Sequence, residues 1–152
     1  MKKLLVFCMV LGLVGSAPAA HRDQGFDNET LEGTFAFSAH GVVGQTIGRI
    51  PAGTPVVTVG IITFDGDGTC VSWATTKVGA FPVILPNPST ACTFHVNPDG
   101  TGTFQVTNAG SPFSPLVLAF AIVDKNEFLV IMTDELVISG VAKRQRKGDK
   151  DD

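Results

Sequence analysis

The stretch CTFHVNPDGTGTFQVT, residues 92–107, constrains the fold more than any other part of the chain. Cys92, Phe94 and Val96 alternate with Thr93 and His95, and beyond NPDGTG the alternation resumes with Phe104 and Val106 set against Thr103, Gln105 and Thr107. A period of two puts one set of side chains on each face of a strand, and a link this short allows only an antiparallel partner. The pattern recurs along the chain and predicts strands at 33–40, 56–64, 69–76, 91–97, 102–108, 116–123, 127–133 and 136–144, with a further short one within 78–85. Gly, Thr, Val and Phe are abundant and Lys, Glu and Leu scarce, which disfavours helices. DKNE (124–127) and TDE (133–135) are further tight links, so the strands form a meander.

About eight antiparallel strands in sequence order protect their unpaired edges best by closing on themselves. The expected fold is therefore all-β: a small antiparallel up-and-down barrel of about eight strands over residues 31–145, preferred to a sandwich. In PLVLAFAIV (115–123) both faces are apolar, which suits a wall with one covered face. Residues 41–55 and 77–90 are Gly- and Pro-rich connections. The prolines of FPVILPNPS rule out a central strand there.

Several segments fall outside that barrel. Lys2 and Lys3, the apolar run Leu4 to Val14 and the small residues Ser16 to Ala20 form a secretory signal peptide over residues 1–19. Ala17 and Ala19 place cleavage after Ala19, with Ala20 the near alternative. The apolar run is shorter than the roughly 20 residues of a membrane span, so no integral span is expected. The mature chain of about 133 residues is one domain, secreted or periplasmic. Residues 20–30 read as a flexible arm and 146–152 as a disordered charged tail.

Without Lys2 and Lys3 the formal charge falls from −3 to −5, and five of the nine remaining bases sit in Lys143 to Lys150. Nucleic acid is not an expected partner on that balance. Cys8 leaves with the signal peptide; Cys70 and Cys92 remain. An even pair in an oxidising compartment reads as one disulfide, with two free buried thiols the alternative.

FDGDGTC (64–70) has the look of a calcium loop, but counting from Asp65 puts Trp73 at position nine and Thr76 at position twelve, where a bidentate Glu is needed. A hairpin turn with positive φ at Gly66 or Gly68 is the expected role. No metal and no cofactor is expected. His21, His40 and His95 are scattered, and no serine has the Gly-x-Ser-x-Gly frame, so no catalytic set is assigned. Asn28 heads a formal NET sequon, given no weight in a chain whose signal looks bacterial.

Ten phenylalanines remain after the signal peptide, and Phe35, Phe37, Phe64, Phe94, Phe104, Phe120 and Phe128 all fall in strands. An eight-stranded barrel is either filled by its side chains or holds one small ligand. These rings are thus either a packed core or, in part and with Trp73, the lining of an apolar pocket. Strand parity leaves open which face carries Trp73.

LEGTFAFSAHG (31–41), VGIITFDGDG (59–68), FHVNPDGTGTF (94–104) and FLVIMTDELVISGVAKRQ (128–145) together resemble bacterial secreted proteins with an allene oxide cyclase barrel-like, calycin-type domain, mostly uncharacterised. Those proteins often carry Cys where Gly100 stands, whereas this chain has Cys92. The resemblance implies a calycin-like barrel. It brings no cyclase chemistry, because no catalytic residue of the plant enzymes matches a position here. The leading expectation is a non-enzymatic exported barrel that takes a small apolar ligand, with Phe35, Phe37, Trp73 and Phe94 as candidate lining. The alternatives are a cyclase- or isomerase-like enzyme on an unsaturated lipid-type substrate, and a structural or surface-interaction protein with a filled barrel.

Overall fold

The computed structural model describes residues 25–82, 89, 91–108 and 113–146. The signal peptide, residues 20–24 of the arm, most of FPVILPNPS and the tail from residue 147 lie outside the described residues. Eight strands follow one another: β1 (Gly33–Val43), β2 (Pro55–Phe64), β3 (Cys70–Val78), β4 (Ala91–Val96), β5 (Thr101–Thr107), β6 (Leu116–Asp124), β7 (Glu127–Thr133) and β8 (Leu136–Arg144). All pairings are antiparallel, in the order β3-β2-β1-β8-β7-β6-β5-β4. The first and last strands pair from Phe35↔Arg144 to Val43↔Leu136, so the sheet curls into an up-and-down barrel.

The seam lies between β3 and β4, where a single bridge, Thr69↔Thr93, replaces a continuous ladder. Other groups reinforce it. Phe94 N–H donates to the Gly68 carbonyl at 2.9 Å, and Ser89 fills the next gap by donating its N–H to the Ser72 carbonyl at 2.9 Å and accepting from Ser72 N–H through Oγ at 3.0 Å. The Cys70–Cys92 disulfide crosses the same seam with Cα atoms 4.9 Å apart, and both half-cystines face inward.

Strand β1 runs three residues past its expected end. The sequence puts Gly41 at the start of the 41–55 connection, yet it pairs with β8, which passes so close that a Cβ there would meet the Val137 carbonyl oxygen at 2.0 Å. Glycine is what lets the two strands pair at that point.

Hairpin turns 65–68, 97–100 and 125–126 gather at one end of the barrel; the other end, where β1, β3 and β5 finish and the turn 134–135 joins β7 to β8, is the mouth. Asp65 makes the first turn. Its Oδ1 accepts N–H bonds from Asp67, Gly68 and Thr69 at 2.9, 3.1 and 2.9 Å, and its Oδ2 takes the Thr69 hydroxyl. Gly66 and Gly68 both have positive φ, 86° and 107°. The carboxylate that looked like a calcium ligand is engaged in organising the chain reversal. Asp99 does the same for the 97–100 turn, accepting from the N–H and hydroxyl of Thr101 at 2.9 and 2.7 Å.

The turn end is closed by residues expected to belong to a loose arm. Asn28–Leu31 form one 3-10 turn capped by Asp27, whose Oδ1 accepts from Thr30 N–H at 3.1 Å while Thr30 Oγ1 accepts from Asp27 N–H at 3.2 Å. Asn28 Oδ1 takes the Val96 N–H at 2.9 Å, and Leu31 is fully buried in the core. A reciprocal cap and one apolar anchor hold residues 25–30 that polarity alone would assign to solvent. Arg144 fastens this cap: Nη2 donates to Thr30 O at 3.1 Å, Nη1 to Glu32 O and Nε to Lys125 O at 2.9 Å, with the guanidinium 4.6 Å from the centre of the Phe35 ring.

The outer wall is uneven. Val57, Val59, Ile61, Val71 and Trp73 are exposed on β2 and β3, and Val117, Leu129, Ile131 and Val137 on β6 to β8. The outward positions of β4 and β5 are instead polar, including Thr93, His95, Thr103 and Gln105. Among the described residues no helix is long and apolar enough to cross a membrane.

Two outcomes are expected. Replacing Cys70 and Cys92 by Ser should cost about 3 kcal/mol in denaturant unfolding, from the loop entropy of a 22-residue separation; an unchanged midpoint would show the seam holds without it. The hydrogen bond from the Thr69 side chain leads the causes that hold the Asp65 carboxyl below its usual range. A lowered folded pKa contributes stability above the unfolded value that is lost as pH falls through the folded one. Asp65→Ala should therefore lower the melting temperature near pH 7 and make progressively less difference as pH falls below the ordinary carboxyl value of 3.8, as scanning calorimetry against pH will register.

Candidate functional site

The barrel interior is divided in two along its axis. In the half nearer the turns, Phe64 lies edge-on to four other rings, Phe94, Phe35, Phe128 and Phe104, at centroid distances of 4.7, 5.8, 5.9 and 6.4 Å. Phe120 joins through Phe128 and Phe104, at 5.7 and 6.1 Å. These rings and Leu31 fill that half. Edge-to-face pairs add roughly 0.5–1.5 kcal/mol each beyond area burial, so this plug is a main source of stability. Gly102 makes room for it, since a Cβ there would lie 2.2 Å from the Phe120 ring.

The half nearer the mouth is hollow. A cavity of about 160 Å³ lies above a floor that includes Phe104 and Phe128, and its apolar wall includes Phe37, Val56, Leu118, Met132 and Ile138. The space exists because the β2–β3 side presents small inward groups: Thr58, Gly60, Ser72, Ala74 and Thr76 stand where the opposite side carries Leu, Ile and Met. Gly60 and Ala74 are directly paired across the two strands. The Phe37 ring lies over Gly60, whose missing Cβ would otherwise approach it to 2.8 Å.

Polar groups are few and confined to part of the lining. Thr58 and Thr76 are cross-strand partners, and the Thr76 hydroxyl donates to the Thr58 hydroxyl at 3.0 Å, which donates in turn to the Thr75 carbonyl at 3.3 Å. Ser72 lies deeper on β3, and Asn108 follows the end of β5. Among the described residues, the lining includes no ionisable side chain.

The four candidate residues from the sequence occupy different places. Phe37 is half-buried and lines the cavity. Phe35 and Phe94 are buried in the aromatic plug beneath it. Trp73 is on the outer wall, 44% exposed, beside Ile61 of β2. The disulfide carries the signal that could have placed it: once Cys70 and Phe94 share the inside, parity along β3 puts Val71 and Trp73 outside. Sequence reasoning passed over Thr58, Ser72, Thr76, Asn108, Met132 and Ile138. Small inward residues clustered on two adjacent strands were the available sign of a hollow.

No protein-family model and no curated protein matches the chain. Among solved structures it is similar to a redesigned β-barrel, with a TM-score of 0.51 and 12% identity over 78% of this chain and 95% of the design. An S-type phycobiliprotein lyase from Guillardia theta aligns at a TM-score of 0.39 and 6% identity, over 79% of this chain and 91% of the lyase. The likeness to the design shows the fold alone, a β-barrel.

The division of the interior predicts different responses to truncation. Phe64→Ala should cost about 3–5 kcal/mol, as for a buried ring in a packed core, and Phe37→Ala should cost less than about 2 kcal/mol because its ring already borders empty space. Urea unfolding of the two variants measures both; equal losses would mean that the mouth half is packed as tightly as the plug.

Proposed function

We propose that this protein is an exported binder of a small apolar molecule, held in the mouth half of its barrel. The observation that carries the reading is the cavity itself: about 160 Å³ of space lined by Phe37, Val56, Leu118, Met132 and Ile138 above a solid aromatic floor. An apolar void of roughly 150 Å³ stays dry and takes up a molecule the size of benzene. The occupant is thus of one-ring or short-chain size. Binding is the activity that a lining without ionisable groups supports, since acid–base chemistry needs a titratable group within reach of the substrate. Export rests on the lysine-led apolar run with Ala17 and Ala19, and the Cys70–Cys92 disulfide is the kind of bond that persists in oxidising compartments. The same reading takes the chain as a relative of the bacterial secreted proteins with an allene oxide cyclase barrel-like domain, on the segments they resemble.

Burying about 200 Å² of apolar ligand surface at roughly 25 cal/mol per Å² gives about 5 kcal/mol, a dissociation constant of a few tenths of a millimolar. Toluene titrated into the protein in a calorimeter should bind in that range. Ala74→Leu, which places a larger side chain into the cavity, should abolish binding while leaving the melting temperature equal or higher. Toluene binding that survives this substitution unchanged would place the ligand elsewhere and overturn the proposal.

A further inference from the structure

The cavity's polar groups specify the chemistry of its occupant, and this step rests on the binding role proposed above. We infer that the site takes a neutral molecule bearing one hydroxyl or N–H donor, an alcohol, phenol or pyrrole-type N–H on a single ring or short chain, rejects carboxylates, and favours such donors over molecules that can only accept hydrogen bonds.

Charge excludes the first class. Among the described residues, the lining has no Lys, Arg or His. A carboxylate entering this space gives up its hydration and meets no cation in return. Fatty acids, the usual probes for apolar barrels, are therefore poor ligands for this one.

Hydrogen-bond direction disfavours the second. The Thr75 carbonyl can only accept, so the Thr58 hydroxyl must spend its one hydrogen there. The contact between Thr76 and Thr58 then has Thr76 as its donor, which commits the second hydrogen as well. Both threonines present oxygen lone pairs to the cavity with their hydrogens turned away. Among the described residues nothing donates to Thr76 Oγ1. An incoming O–H or N–H completes this chain, whereas at the threonine pair an ether, ester or ketone meets lone pairs with lone pairs. Asn108 also lines the space and carries both an amide donor and an acceptor, so a hydroxyl that donates to Thr76 can in addition accept.

Four ligands built on one methyl-bearing ring separate these statements: p-cresol, toluene, 4-methylanisole and 4-methylbenzoate, each titrated calorimetrically into the purified protein near pH 7. p-Cresol should bind about three- to tenfold more tightly than toluene, the range of one net hydrogen bond. 4-Methylanisole should bind more weakly than p-cresol, and 4-methylbenzoate should fail to bind at millimolar concentration. Thr76→Val should abolish the preference for p-cresol over toluene, and Thr76→Ser should keep it. Equal binding of p-cresol and toluene, or 4-methylbenzoate within tenfold of p-cresol, overturns this inference and leaves the apolar-binding role standing. A preference that survives Thr76→Val overturns the assignment to the threonine pair. If none of the four binds, the binding role falls too and takes the inference with it. The wild-type series decides the ligand class even if a variant fails to fold.

Discussion

The edge-to-face packing of Phe64 against four neighbouring rings is the contact on which the rest of the barrel depends. Phe64 sits at the last position of β2 and is inward by strand parity. Its partners come from β1, β4, β5 and β7, so one side chain joins strands from both sides of the β3–β4 seam. The ladder around the barrel is complete except at that seam, and the plug holds the two flanks together from within while the disulfide holds them through the wall. The cap at the turn end follows from the same packing. Leu31 closes the core there, and Arg144 ties the capping turn down across the face of Phe35.

A solid plug at one end is what gives the empty space at the other its meaning. Close-packed interiors carry few voids larger than a water molecule. This barrel concentrates its large rings in one half and places Thr58, Gly60, Ser72, Ala74 and Thr76 together in the other. Voids forfeit dispersion contacts along their lining, so the mouth half carries a stability cost that the plug offsets. Such a distribution is understandable if the void is used. The threonine pair gives it a polar spot whose hydroxyl hydrogens are already committed.

Much of this architecture was legible in the sequence because strand alternation is a local property. Cys92, Phe94 and Val96 announce their common face without reference to any other strand, and turns such as NPDG announce the reversal that follows. Closure of β1 on β8 was legible too, from the cost of leaving edges unpaired. What could not be read was depth. Phe35 and Phe37 share a face and lie two residues apart, yet one is packed in the plug and the other borders the cavity, because the residue across from Phe37 is Gly60 and beyond it Ala74. That distinction belongs to the register between strands, which a single strand does not encode. Gly41 misled for a related reason: its role is set by the backbone of β8, almost a hundred residues away. The 25–30 segment misled because its anchoring rests on a reciprocal cap and on Leu31, both invisible to a reading by polarity.

The central claim is an interior half filled and half hollow, and methyl NMR under xenon pressure tests it most directly. Xenon enters apolar voids without needing any polar partner. The account predicts that methyl signals of Val56, Leu118, Met132 and Ile138 shift with xenon pressure, saturating together, while those of Leu31 and Val96 at the plugged end stay still. Shifts spread evenly over both sets, or none in the first, would contradict it.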